Sequence, residues 1–432
     1  MSEQAPSISV IVPIYNVAEY LPRCLDALVG QTFDDIEILC YDDCSTDASF
    51  AILQDYAALD SRIRVEQMPV NGGVAKVRNA CLDVARGEYI CFVDPDDQPE
   101  RRLCELLLHW AKEGNAELVW GGRRKFDVAT EKLTGGNLFL FDPTFTKIAP
   151  PGRVEKTAAL PFFLSWEPWG KLIRRELLQR NNVRFQELQV CEDMRFGFEV
   201  SLLAESVAVC YESIYTYTAN RVGAHSREEG RKRFEVFDAI DATIAMFKRH
   251  EAFEQHALLL HHTLQQHLFQ FCMPRIAKEF RKEFYVRTQD FVATLPPAHL
   301  TLEGRKLLGA KAPKETPPTS TGKRIFVALR PGQGLEEFLS QLRRTGHTII
   351  SAQAGQHLPT MVAESDAAIL NGEQDLISSF LQANKPVLIC PLSDEQIRLA
   401  LHFCKNGSAA ICPYTNAPQL PEILASLGFQ KD

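Results

Sequence analysis

Between residues 7 and 93 the chain alternates short β-branched runs with amphipathic segments, and that rhythm restricts its folds more than any other feature. SISVIVPIY is almost continuous in apolar residues, as a strand covered on both faces requires. Tyr20, Leu21, Cys24, Leu25 and Leu28 then mark one helical face, with Pro22 acceptable in the first turn. DIEILCYDD and SRIRVE read as the second and third strands, separated by STDASFAILQDYAAL, which opens on cap-type residues. Val74, Val77, Cys81 and Val84 step by 3, 4 and 3, a helical spacing, and EYICFV is a fourth strand. This alternation predicts an α/β fold with a Rossmann-like, mostly parallel sheet. Ligands of such sheets gather outside the carboxyl ends of the strands, where Asp42, Asp43, Asp94, Asp96 and Asp97 stand.

FVDPDDQ, residues 92–98, crowds three carboxylates into four positions directly after the fourth strand. Like charges repel there unless a cation, a turn or water neutralises them. A turn alone would also suit Asp and Pro. A formal net charge of -8 argues against a nucleic-acid binder that relies on phosphate contacts. No basic and apolar leader is visible in MSEQAPSISV, and no apolar run approaches the roughly 18 residues of a membrane span, so a cytoplasmic protein is expected. The 12 cysteines never fall as CxxC and sit mostly in apolar runs, which fits reduced core thiols.

Past the fourth strand the pattern is mixed to about residue 225, helical and charge-rich over 226–310, and polar with Pro and Thr over 311–323, a linker. Strand-like runs return over 324–432 (RIFVAL, HTIISA, DAAIL, KPVLIC and AAIC), predicting a second, smaller α/β domain.

Several motifs in fixed order carry a family likeness. SVIVPIYNVAEYLPRCLDALVGQTF, YDDCSTD, NGGVAKVRNACLDVARGEYICFVDPDD, PWGKLIRRELL and VCEDMRF together resemble family 2 glycosyltransferases of the GT-A fold, those that build bacterial surface polysaccharides. The likeness covers about residues 7–225 and marks 1–225 as the GT-A domain. It implies a nucleotide-diphosphate sugar donor, a UDP-sugar above all, and a divalent cation, Mn²⁺ or Mg²⁺. Such a cation stabilises the diphosphate leaving group and prefers oxygen ligands. The resemblance assigns Asp96 to the metal and Asp94 to the ribose or the metal. It gives Asp43 the uracil N3–H, sets Pro13 and Tyr15 beside the ring, and directs Arg78 to the diphosphate. Asp193 is the implied catalytic base of an inverting transfer, with Glu192 beside it. Trp169 and Lys171 are implied near the acceptor, and Arg221 or His225 over the diphosphate. The family usually carries Gly at Cys44 and Asn at Gly170.

The acceptor expected from the likeness is a glycan, lipid-linked or protein acceptor of the cell envelope. The run REEGRKRF, 227–234, reads as a solvated helix face and leaves room for peripheral contact with the inner-membrane surface. Residues 324–412 are more weakly similar to the C-terminal half of GT-B glycosyltransferases. Glu373 and Asp375 stand where that half binds phosphate, so this domain is expected to be non-catalytic. Two other readings stay open. A sugar nucleotidyltransferase should show a Gly-rich loop after the first strand, which PIYNVAEY lacks. A non-catalytic glycan- or nucleotide-binding protein should have lost Asp94, Asp96 or Asp193.

Overall fold

The computed structural model describes residues 5–134, 152–154, 160–163, 165–221 and 229–309, and beyond them five strands. The chain divides into two compact units, the first ending at Thr288 and the second running from Gln289.

The first unit opens with β1 (Ile8–Ile14), α1 (Leu21–Val29), β2 (Ile36–Asp42), α2 (Ser49–Leu59), β3 (Ile63–Gln67), α3 (Val74–Val84) and β4 (Tyr89–Phe92). All seven residues of β1 are buried, as its unbroken apolar run demands. Leu21, Cys24, Leu25 and Leu28 form the buried stripe of α1. After β4 come β5 (Gln98–Pro99), α4 (Leu103–Glu113), β6 (Leu118–Asp127), β7 (Lys132–Thr134), β8 (Gly152–Val154), α5 (Leu160–Phe163), β9 (Lys171–Arg174) and α6 (Arg175–Arg180). Then follow α7 (Glu192–Leu203) and the long strand β10 (Val207–Ala219).

The sheet order is β3-β2-β1-β4-β9-β6-β10-β5, with β7 on β6 and β8 on β10. The half from β3 to β4 is parallel, as predicted from the alternation. The other half departs from the mostly parallel sheet expected. β9 runs antiparallel to both β4 and β6, while β10 runs parallel to β6 and antiparallel to β5. Parallel neighbours need crossover helices, and the strand–helix rhythm that supplies them stops at β4. The sheet is therefore mixed.

From Glu235 to Leu307 the described elements are helical: α8 (Glu235–Arg249), α9 (Phe253–Gln266), α10 (Met273–Arg275), α11 (Arg281–Ala293) and α12 (Leu302–Leu307). A 3₁₀ turn (Arg231–Phe234) precedes α8, and a π-helical turn (His267–Cys272) links α9 to α10. In the second unit β11 (Arg324–Ala328), β12 (Thr348–Ser351), β13 (Ala367–Leu370), β14 (Val387–Ile389) and β15 (Ala409–Ile411) pair in parallel, in the order β12-β11-β13-β14-β15. Each lies within a run read as a strand from the sequence. Glu373 and Asp375, and the linker over 311–323, lie outside the described residues.

Candidate functional site

Two strand ends and one helix start converge at the carboxyl edge of the parallel half. Asp42 ends β2 and Asp43 follows it, Asp94, Asp96 and Asp97 follow β4, and Glu192 and Asp193 open α7. Two of these groups are joined by Arg78, which is buried on α3. Its guanidinium donates to Asp94 Oδ1 and to Glu192 Oε1, both at 2.8 Å, with only 4% of the side chain exposed. Burial works against this charge, but Asp94 and Glu192 outweigh it and raise the Arg78 pKa. Phe185 packs on the same guanidinium, 5.1 Å from ring centre to Arg78 Cζ.

The three clustered carboxylates are each held differently. Asp94 pairs with Arg78, and its amide donates to the Tyr215 hydroxyl at 3.0 Å. Burial pushes the Asp94 carboxyl up, Arg78 opposes that, and Asp96 adds to it. Asp96 pairs with Arg221 Nε, and its carbonyl accepts from Arg23 at 3.0 Å. Asp97 is 1% exposed and accepts from the Thr218 amide at 2.7 Å. Burial, then the charges of Asp96 and Asp94, push the Asp97 carboxyl well above the usual range. The Tyr215 hydroxyl is its other neighbour and works to lower its pKa. The turn reading of DPDD is also met, since the Asp97 amide donates to the Asp94 carbonyl at 3.1 Å. Hard oxygen donors on adjacent positions suit Mg²⁺ or Mn²⁺, which take one or two protein carboxylates and complete their shells with phosphate and water. The donor set of Asp94 and Asp96 fits such an ion.

Asp43 is 2% exposed, and its two oxygens accept the Gly72 and Gly73 amides at 2.8 and 2.7 Å. It thereby ties the end of β2 to the start of α3, where Gly73 takes φ +86° as the N-cap. Pro13 is buried in β1, whereas Tyr15 is 45% exposed at its carboxyl end. Cys44 adopts φ +59°, in the left-handed region that glycine enters without strain. Gly170 has φ +67°, a conformation that Asn also tolerates.

At the start of α7 the two acids differ. Glu192 is occupied by Arg78. The Asp193 side chain makes no hydrogen bond with a described residue and keeps some accessible surface. Desolvation, then Glu192 and Glu167, push the Asp193 carboxyl well above its ordinary value. The loop before it is fixed from behind, because Glu235 accepts the Gln189 and Val190 amides.

Trp169 and Lys171 are both buried. Trp169 bridges to Phe92 at the end of β4 and lies parallel to Tyr215 and Tyr217, with ring centres 4.8 and 5.4 Å away. Arg123 covers it at 4.4 Å and faces Glu167 at 3.9 Å. Lys171 donates to the carbonyls of Ser165 and Glu167, and burial lowers its pKa to about 7. Its ammonium therefore fastens residues 165–167 to β9. His225 lies outside the described residues. Tyr215, Thr218 and Glu235 escaped the sequence reading, because nothing in their own segments marks them. Only the pairing of β10 with β5 brings the first two behind the Asp turn.

The model of glycosyl transferase family 2 matches residues 9–181. The glycosyltransferase GlyG of Streptococcus pneumoniae serotype 4 is 32% identical over 227 residues, covering 51% of this chain and 73% of that one. EpsJ of Bacillus subtilis strain 168, an uncharacterized glycosyltransferase, is 35% identical over 222 residues. This chain spans 62% of EpsJ and 33% of the poly(ribitol-phosphate) beta-glucosyltransferase of Bacillus spizizenii. Staphylococcus aureus TarS 1–349 in complex with UDP-GlcNAc matches with TM-score 0.56 and 23% identity over 70% of this chain and 83% of that one. That likeness establishes a shared GT-A-like fold.

Proposed function

The chain belongs to glycosyltransferase family 2, and from that premise we propose that it moves a sugar from a UDP-sugar to a glycan, lipid-linked or protein acceptor in cell-envelope polysaccharide synthesis. One observation carries the reading. Arg78 gathers Asp94 and Glu192, 98 positions apart in the chain, onto a single guanidinium beside Asp193.

In this proposal Asp193 takes the proton of the acceptor hydroxyl as its oxygen attacks the anomeric carbon. The carbon–oxygen bond to the diphosphate breaks on the opposite face, which inverts the configuration. A base with an upward-shifted pKa is matched to that task near neutral pH, and the shift at Asp193 supports the assignment. Glu192, bound to Arg78, orients that guanidinium instead of taking the proton. Asp94 and Asp96 are the residues that would hold a divalent cation. When bound, it neutralises charge developing on the diphosphate. Tyr15 offers an exposed aromatic face to the base. Asp43 shapes the strand end through the Gly72 and Gly73 amides and has lone pairs left for the base N–H. Arg221 lies close enough to Asp96 to exchange partners with an incoming phosphate. The UDP-GlcNAc held by TarS and the poly(ribitol-phosphate) acceptors of other relatives support a hexosyl or N-acetylhexosaminyl donor and an envelope acceptor.

The test is UDP release from a panel of UDP-sugars with and without Mn²⁺, for wild type, Asp96→Asn and Asp193→Asn. Release by wild type, lost in Asp96→Asn, and donor binding without turnover in Asp193→Asn are expected. No release and no UDP binding with any metal would overturn the donor assignment.

A further inference from the structure

The surface made by the 3₁₀ turn, α10 and the start of α11 is basic on a chain whose net charge is -8. Arg231, Lys232, Arg275, Lys278, Arg281 and Lys282 are exposed there, against the exposed acids Glu229, Glu279 and Glu283. Arg231 and Glu283 pair and cancel, which leaves five cations against Glu229 and Glu279. The segments form one ridge. The Ala277 amide donates to the Glu229 carbonyl at 2.8 Å, and the Phe234 ring packs on Phe280 and Phe284 at 6.4 and 5.2 Å. Arg231 and Arg275 lie over Phe234 and Phe271 at 4.9 and 4.0 Å, which holds their charges at the surface. On the same stretch of α11 Tyr285 and Val286 are 43% and 46% exposed.

We propose that this ridge adsorbs to an anionic phospholipid bilayer. Basic side chains near such a surface gain attraction that falls off within a Debye length. Apolar and aromatic side chains beside them enter the interfacial layer. A soluble polyanion would use the cations but give Tyr285 and Val286 no apolar medium, so the pairing favours lipid. The ridge also bears on the site. Two residues after Arg233, Glu235 fastens the loop that leads to Asp193. Adsorption would therefore hold that loop in a fixed orientation to the lipid surface. The inference stands independently of the donor assignment.

The experiment is co-sedimentation of the full chain with vesicles of phosphatidylcholine alone and of phosphatidylcholine with phosphatidylglycerol. Binding to the anionic vesicles only, weakened by salt, is expected. The side chains of Lys232, Lys278 and Lys282 make no ion pair or hydrogen bond with a described residue. Their joint replacement by Glu should weaken binding at least about tenfold while leaving vesicle-free turnover unchanged. Tyr285→Ser with Val286→Ser should also weaken it, and that loss should persist when salt is raised. No binding, equal binding to both vesicles, or a triple variant that binds like wild type would overturn the proposal. So would capture of inorganic polyphosphate chains with no binding to anionic vesicles, which would give the ridge to a polyanionic acceptor.

Discussion

Arg78→Met removes the one cation that compensates both Asp94 and Glu192 while keeping much of the side-chain volume. The two ion pairs are 2.8 Å long and enclosed, with side-chain exposures of 4% for Arg78, 24% for Asp94 and 13% for Glu192. Breaking an enclosed pair by deleting one partner costs about 3–5 kcal/mol, because a desolvated charge is left behind. The variant can escape part of this by protonating one carboxylate. With a reference pKa near 4, that costs up to about 5 kcal/mol at about pH 7.5. A loss of about 3–5 kcal/mol is therefore expected at that pH.

The sign of the pH dependence follows from proton linkage. Without Arg78 the folded-state pKa of Asp94 rises further above its unfolded value, because the guanidinium that opposed burial is gone. The folded variant then binds more protons than the unfolded chain, and its stability falls as pH rises through that window. Lowering the pH to about 5.5 should recover about 2–3 kcal/mol of the difference from wild type. Urea unfolding followed by tryptophan fluorescence reads this directly, since Trp110, Trp120, Trp166 and Trp169 all lie in the first unit. Adding Asp94→Asn to the variant should restore roughly half the loss, because one of the two stranded charges is gone. A difference under about 1 kcal/mol, or one that does not change with pH, would mean the bridge behaves like a solvated surface pair. The argument from enclosure would then be refuted.

Asp97→Asn keeps an acceptor for the Thr218 amide and removes a charge whose folded pKa is raised. It should stabilise the protein by about 1–2 kcal/mol at about pH 8 and leave it unchanged near pH 4, as thermal unfolding across pH would show. Gly197→Ala places a Cβ 2.2–2.3 Å from the backbone of Trp166. A loss of about 3 kcal/mol is expected, measured as a lower urea midpoint. Cys44→Gly relieves a left-handed backbone and should gain about 0.5–1 kcal/mol, offset in part by the lost contact of its thiol with the Met68 carbonyl.

The parallel half of the sheet was legible because each element there carries its own period. The continuous apolar run of β1 and the Leu21, Cys24, Leu25, Leu28 stripe of α1 appear where the pattern puts them. The mixed half was not legible. β9 has four residues and no alternation, and its antiparallel course between β4 and β6 is decided by tertiary pairing. The same division holds in the site. Asp94 and Asp96 announce themselves by crowding, and VCEDMRF by likeness. Thr218 and Tyr215 sit in an ordinary strand run, and become site residues only because β10 passes β5.

Crowding three carboxylates at the end of β4 costs little because each meets a different partner. Asp94 is held by a guanidinium from α3, and Asp96 by one that follows β10. Asp97 has the Thr218 amide and the neighbouring Tyr215 hydroxyl, but no cation bonded to it. Asp97 is thus the member least compensated by the protein itself, and its raised pKa records the deficit. Positive charge arriving at Asp94 and Asp96 would lower the repulsion that both exert on Asp97, so the cluster gains most when a cation binds beside it. Arg78 extends the same coupling to α7, because its second partner is Glu192. Charge brought to the Asp turn loosens Arg78's hold on Asp94, and any shift of that guanidinium is felt one residue from Asp193. The Asp turn and the start of α7 are therefore electrostatically one site, and a substitution at either end should move the pH profile of the other.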